Sequence, residues 1–461
     1  MNRTAMFLGF AAVLAALAAL PKPTAQKMAE AAPTLILPST TTSSTGAVVL
    51  SAKLGATTLP ASITSEVFAR FELQANGERP PRAARGPVSL AVALDRSGSM
   101  SGQKLYDAKR AVSDLIERLQ DGDRFALAHY GSDVTVLPPV VISPATRRQL
   151  LGQVEEIRDY GGTNLSGGLE GAFAALQLVH AEVSARRLIL VSDGQPTEGS
   201  TDLAGLTTLT ARIREQGVAV SALGIGSDFN DTLMRQLANH GGGFYAHLGQ
   251  SSRLGEIFAR ELDQATNAVA QGVKLRLMPA PGVEIKDVSG FPFSRDGDGS
   301  VTVQVYDLAA AQNARVLVEL SVPPGFSSSQ VVRSELSYWS PVHRQQERAA
   351  LQLVAARSDD PRVLAGARDA EVYADSLRVI GGREIARATA AYERGDRALA
   401  GSMFDNVRRL FGSSADALAG ESRALDESEA ALRCARSGEE VRSQAMQVRK
   451  NLSHFGVNNA Y

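Results

Sequence analysis

The chain has a single cysteine, Cys434, so no disulfide can close within it. It has no excess of either charge: 48 Lys and Arg stand against 49 Asp and Glu, for a formal net charge of −1. That balance gives no electrostatic reason to expect DNA, RNA or an anionic membrane surface as partner. The six histidines are scattered and never fall into H-E-x-x-H spacing, which speaks against a zinc hydrolase. A Walker lysine loop and a G-x-S-x-G elbow are both missing. With 44% hydrophobic and 21% charged residues the chain is otherwise ordinary for a globular protein. At 461 residues it can hold two or three cores.

The N-terminal apolar run, Met6 to Leu20, is too short for the roughly 20 residues a bilayer-crossing helix needs. With Arg3 ahead of it, it reads as a secretory signal, so residues 1–31 are expected to be removed on export to a periplasmic or extracellular site. The alternative is an uncleaved segment that anchors the chain to the membrane. No cysteine follows the run, which speaks against a bacterial lipid anchor.

Residues 32–85 then read as a linker, with a Thr/Ser-rich stretch from Thr40 to Thr45, followed by strands at Ala47–Ala52 and Glu66–Leu73. From Val88 the pattern changes to regular β-α alternation, and residues 86–266 are expected to form one α/β domain. Val88–Leu94 is an apolar run broken only by Ser89, as in a strand buried on both faces. Leu105, Ala108, Val112, Leu115 and Leu119 recur at steps of three and four, the mark of an amphipathic helix. Strands at Phe125–His129, Leu188–Ser192 and Val218–Leu223 alternate with helices at Leu165–Val183, Leu203–Gln216, Phe229–Asn239 and Leu254–Thr266. Such units imply a doubly wound, mainly parallel sheet whose ligands bind beyond the carboxyl ends of its strands.

Chemistry-bearing residues sit at those ends. Asp95-Arg96-Ser97-Gly98-Ser99 follows the first strand, and this D-x-S-x-S spacing aims one carboxylate and two hydroxyls at a common point. Gly98 is expected to allow a tight backbone approach. Gly161-Gly162-Thr163-Asn164 before a helix and Ser192-Asp193-Gly194 after a strand add further oxygens. Two carboxylates in an all-oxygen set suit a hard cation such as Mg²⁺, with Mn²⁺ or Ca²⁺ as alternatives.

The three segments resemble the metal-ion-dependent adhesion site of von Willebrand factor type A (VWA) domains. The resemblance implies that Ser97, Ser99 and Thr163 ligate the ion by hydroxyl, and that Asp95 and Asp193 act directly or through water. It also implies a protein partner that supplies a Glu or Asp carboxylate, with no small-molecule substrate and no catalysis. The loops Met100–Gln103, Gly161–Asn164 and Gln195–Ser200 would set specificity, with Met100, Ser101, Gly162, Asn164 and Gln195 as partner-binding residues.

Residues 267–345 return to β patterning at Val273–Met278, Val283–Val288, Val301–Tyr306 and Val316–Val322. Together with the strands before residue 80 they are expected to form a β-sandwich into which the α/β domain is inserted. That arrangement resembles the inter-α-trypsin-inhibitor heavy-chain and calcium-activated-chloride-channel-like VWA proteins. Residues 346–461 are Ala-, Arg- and Glu-rich and read as helical, with Gly381-Gly382 and Gly412 as breaks and a last helix from about Ser422 to Asn451. Asp296-Gly297-Asp298-Gly299-Ser300 opens like an EF-hand loop, but Val301 takes the required glycine position, so a hairpin turn is expected. Arg394-Gly395-Asp396 reads as a plain interhelical turn. The reading is therefore an exported, metal-dependent binding module. Its alternative is an intracellular VWA subunit partnering an AAA+ ATPase in a chelatase-like or chaperone-like system.

Overall fold

A computed structural model of the protein describes residues 40–76, 87–178, 185–193, 195–226, 230–248, 251–325, 329–435 and 437–451. The signal reading of residues 1–31 lies outside them. Among the described residues no helix is long and apolar enough to cross a membrane.

The first strands are β1 (Thr40–Thr45), β2 (Val48–Leu54), β3 (Thr58–Leu59) and β4 (Ser65–Ala75). The Thr/Ser stretch read as a linker is thus a strand, paired antiparallel with β2 from Thr40↔Lys53 to Thr45↔Val48. Its β-branched threonines suit a sheet edge, where neither face has to be apolar. In β2 the alternation is plain: Val48, Leu50, Ala52 and Leu54 are buried and the residues between them are not.

The α/β unit follows as β5 (Val88–Asp95), α1 (Gln103–Arg118), β6 (Arg124–Tyr130), β7 (Val134–Val141), α2 (Pro144–Glu155), α3 (Leu165–Gln177), β8 (Ala185–Ser192), α4 (Leu203–Glu215), β9 (Ala219–Ile225), α5 (Asp231–Gly241), β10 (Gly242–Leu248) and α6 (Leu254–Asn267). The sheet order is β10-β9-β8-β5-β6-β7, with β7 antiparallel and the rest parallel. Every residue of β5 is buried, because helices cover both faces. From the central β5 the chain runs outward through β6 and β7, then returns to β8 on the other side. The loops after β5 and β8 therefore face each other across the switch in strand order, where such sheets open a crevice.

The remaining strands are β11 (Ala268–Pro279), β12 (Glu284–Ser289), β13 (Phe293–Arg295), β14 (Val301–Gln304), β15 (Leu308–Ala309), β16 (Asn313–Val322), β17 (Gln330–Ser340), β18 (Gln345–Val354) and β19 (Ala356–Arg357). One sheet runs β1-β2-β4-β16-β12 and the other β13-β14-β11-β17-β18. β4 precedes the α/β unit and β16 follows it, yet they pair from Asn313↔Gln74 to Val322↔Ser65. Phe71 and Leu73 on one flank share a core with Leu275, Val318 and Leu336 on the other. The α/β unit is thus inserted in a two-sheet sandwich.

Residues 345–354, where composition suggests a helix, form β18 instead. Glu347, Ala349, Leu351 and Leu353 point inward at a period of two, and β17 offers a full pairing edge. Helices begin only at α7 (Pro361–Gly366), followed by α8 (Ala370–Glu393), α9 (Arg397–Gly412), α10 (Ala419–Cys434) and α11 (Gly438–Asn451). The stretch read as one last helix is therefore two. Val372, Val379 and Ile380 of α8 seat on Phe68 and Leu317, covering the outer face of the first sandwich sheet.

Gly381 and Gly382 do not break the helix; both lie buried inside α8. A Cβ on Gly381 would stand 2.4 Å from Phe411 Cζ, so the glycine is there to let α9 approach. Gly381→Ala should cost about 1–3 kcal/mol through this overlap, less the gain of up to about 1 kcal/mol in helix propensity. Chemical denaturation of the variant measures it, and unchanged stability would contradict the packing role.

Candidate metal centre

The loops after β5 and β6 and the turn 160–164 ahead of α3 are laced together by backbone bonds. Arg96 N–H donates to Tyr130 O at 2.7 Å, Tyr160 N–H to Arg96 O at 2.7 Å, and Gly98 N–H to Gly161 O at 3.0 Å. Asn164 N–H donates to Gly131 O at 2.9 Å. Gly161 takes φ +78°, the left-handed conformation that the tight turn needs. Gly98 needs no such room: a Cβ there would meet only Gly161 O at 3.7 Å, so its part is the N–H it donates.

Four of the five residues expected to hold a cation are joined by hydrogen bonds. Ser97 Oγ and Ser99 Oγ lie 3.0 Å apart, and Ser99 Oγ donates to Asp193 Oδ1 at 2.7 Å. Asp95 accepts from the Ser97 N–H at 2.8 Å and from Ser192 Oγ at 2.6 Å. Thr163, the fifth, is buried at the adjoining turn; its N–H donates to Thr197 Oγ1 at 2.9 Å and its carbonyl accepts from Thr197 N–H at 3.0 Å. Asp95, Ser97, Thr163 and Asp193 are all buried.

Electrostatics suit a cation. Burial raises the Asp95 carboxyl above the usual range; the Ser192 and Ser97 bonds work against that rise and the Asp193 charge adds to it. Among the described residues no basic side chain pairs with Asp95, and a buried carboxylate without a counter-charge is costly. Among the described residues no three His, Cys, Asp or Glu side chains cluster as metal ligands. A site here has to draw on hydroxyls, and two carboxylates with neutral hydroxyls match a hard cation of the Mg²⁺ kind.

The expected partner-binding residues divide. Ser101 and Gln195 are exposed on the rim. Gly162 N–H donates to Ser132 Oγ at 2.8 Å, and Asn164 caps α3 by accepting from Gly167 N–H at 3.0 Å. Met100 is a correction: its side chain is fully buried in the core beneath α1 and cannot meet a partner. It closes the short 3₁₀ turn Gly98–Met100 and anchors the turn from below.

Several supporting roles escaped the sequence reading. Ser192 holds Asp95, Thr197 holds Thr163, and Ser132 joins Gly162 to Glu198 through a 2.6 Å bond to Oε1. Lys104 pairs with Asp193. Its signal was available, since a lysine in the first turn of a helix opposes the macrodipole and needs a reason to be there.

Behind the first loop, Arg96 donates to His129 Nδ1 at 3.0 Å and to Asp133 at 2.6 Å. Burial, helped by the Arg96 charge, pushes the His129 imidazole down to about 4. The unfolded chain protonates this histidine below about 6.5 while the fold keeps it neutral, so the unfolded state binds more protons between those values. Stability should fall as pH drops from about 6.5 toward 4. His129→Gln should flatten that part of a melting-temperature profile, and an unaltered slope would contradict the assignment.

Comparison with known proteins agrees with this geometry. The profile of the von Willebrand factor type A domain matches residues 89–260. The uncharacterized protein YfbK of Escherichia coli K12 is 25% identical over 245 residues, covering 51% of this chain and 42% of that protein. Inter-alpha-trypsin inhibitor heavy chain H1 of Mesocricetus auratus is 28% identical over 196 residues, 41% of this chain and 21% of its own. The matches thus span less than half the length of these relatives. In fold, the chain is similar to a von Willebrand factor type A protein from Catenulispora acidiphila, with TM-score 0.68 at 18% identity over 87% of this chain and 95% of that one. It is also similar to the ArnB paralog VWA2 from Sulfolobus acidocaldarius, with TM-score 0.57 at 17% identity over 90% and 100%. Sheet order, converging strand-end loops and sequence similarity agree that residues 89–260 of this chain form a von Willebrand factor type A domain.

Proposed function

We propose that the protein is an exported binding module that holds a divalent cation of the Mg²⁺ kind at Asp95, Ser97, Ser99, Thr163 and Asp193, and presents it to an acidic residue of a partner protein. The observation that carries this reading is the Asp95–Ser97–Ser99–Asp193 cluster, buried but for the exposed Ser99, two carboxylates bridged by hydroxyls, with Thr163 in the turn beside it. When bound, the ion would supply an electrophilic position to which a partner's carboxylate oxygen can attach. Asp95 and Asp193 balance its charge, and the hydroxyls of Ser97, Ser99 and Thr163 offer lone pairs without adding charge. That leaves the centre attractive to one further anion. Ser101 and Gln195 on the rim would meet the partner around that bond and exclude water from it, which strengthens a charged contact. The Ser99 hydroxyl, which donates to Asp193, is assigned to the ion in this reading, which is binding without catalysis.

The test is capture of binding partners on the immobilised protein from its host, in Mg²⁺ and in EDTA. The expected result is a partner retained only with metal and lost when one of its own Asp or Glu residues is replaced. Retention that EDTA leaves unchanged would sink the reading.

A further inference from the structure

We infer that Lys104 is an internal counter-ion of the metal site: it neutralises Asp193 while no divalent ion is present, and it moves aside toward Asp107 when one binds. This inference rests on the metal reading above and names what regulates that site. The Lys104 ammonium pairs with Asp193 Oδ2 and donates to Ser99 O at 3.2 Å, so it touches two of the residues assigned to the ion. The Asp193 side chain is 0% exposed and that of Lys104 is 36% exposed, so the lysine reaches in from the rim to a carboxylate that solvent does not reach.

Its position in the fold gives it no other reason to be there. Lys104 is the second residue of α1, at the positive end of the macrodipole, with no acidic residue in that first turn. A cation there is unfavourable unless a nearby anion holds it. Gly226, at φ +83°, lies beside the lysine: a Cβ at that position would be in ordinary contact with Lys104 Cε at 3.4 Å and Nζ at 3.5 Å.

The displaced ammonium has somewhere to go. A cavity of about 410 Å³ adjoins it, lined by Gln103, Lys104, Asp107, Ile225, Gly226 and Ser251 among others. Asp107 stands three residues on along α1, the spacing at which oppositely charged helical side chains meet. It is oriented by Gln103 Nε2, at 2.9 Å, and by Ser251 Oγ. A divalent ion and an ammonium cannot share Asp193 without repulsion, so Lys104 lowers the affinity of the site and makes metal loading an exchange of cations.

The test is calorimetric titration of the full chain with Mg²⁺ and with Mn²⁺, for wild type, Lys104→Met and Asp107→Asn, paired with thermal melts in EDTA. Lys104→Met keeps the length of the side chain without its charge and should bind either ion about ten-fold tighter or more. In EDTA it should melt below wild type, because the buried Asp193 carboxylate then loses its paired cation. Asp107→Asn should bind metal a few-fold more weakly, since the displaced ammonium loses its alternative acceptor. Wild-type binding with Lys104→Met no tighter, or melting no lower in EDTA, would overturn this inference and leave the metal site standing. No binding by either protein would remove the metal reading itself and this inference with it.

Discussion

Asp307→Ala is expected to destabilise the protein by about 3–5 kcal/mol, because it leaves two buried guanidiniums without their shared carboxylate. Asp307 lies just after β14 in the sandwich, yet it accepts from Arg214 of the α/β unit at 3.1 Å and sits 3.8 Å from Arg187 at the start of β8. It also accepts the Gly272 N–H at 2.9 Å. Arg187 in turn faces Glu261 on α6 at 3.7 Å, and Ser221 donates to Glu261 at 2.8 Å. These side chains are all buried where the inserted unit joins the sandwich, at the end of its sheet opposite the metal loops. Burial alone would raise the Asp307 carboxyl, but the Arg214 and Arg187 charges and the Gly272 bond win, and it is held below the usual range. A depressed carboxylate contributes stability above its ordinary titration range and loses it as pH falls through its folded value. The melting temperature of Asp307→Ala should therefore fall on the order of 10 °C at neutral pH, with the gap to wild type closing in acid. A variant that melts like wild type would show that the ion cluster does not hold the two parts together.

The second large effect is on metal affinity. Replacing even an outer-shell partner of a metal ligand commonly costs roughly 10–100-fold in affinity, so Asp95→Ala should cost more than about 100-fold. Ser99→Ala should come close to it, because Ser99 bridges Ser97 and Asp193 and a methyl group has no lone pair to give. Neither variant should unfold, since the strands beneath carry the core and the loops carry the function. In excess Mg²⁺ wild type should gain melting temperature by linkage and Asp95→Ala should not. Equal affinity in wild type and Asp95→Ala would place any bound ion elsewhere.

Much of this was legible in the sequence for physical reasons. β5 is Val, Leu and Ala up to Asp95 apart from Ser89, a pattern that suits a strand covered on both faces. The helical stripe of α1 and the strand-end loops followed from periodicities of 3.6 and from polar residues placed directly after apolar runs. β7 escaped because Pro138 and Pro139 interrupt it, which an antiparallel edge strand tolerates where a central one does not. β17 escaped because Ser334 and Ser340 take two of its inward positions and mask the alternation of Val332, Leu336 and Tyr338. Gly381-Gly382 misled for a different reason. A helical glycine that serves close packing looks the same in sequence as one that ends a helix, and only the partner, Phe411, tells them apart.

At the site the same limit applies. Residue types and order pointed to Asp95, Ser97, Ser99, Thr163 and Asp193, because ligand chemistry is written in the side chains. Support for those residues depends on long-range contacts that no local pattern encodes. Ser192 reaches Asp95 across the sheet, Ser132 ties the Thr163 turn to Glu198, and Met100 turns inward although its neighbours on the loop are exposed.

The most direct test of the central claim is anomalous diffraction from crystals of the protein grown with Mn²⁺. A single strong peak is predicted among the oxygens of Asp95, Ser97, Ser99, Thr163 and Asp193, with the Lys104 ammonium displaced from Asp193. An empty cluster at saturating Mn²⁺, or a peak elsewhere in the molecule, would contradict it.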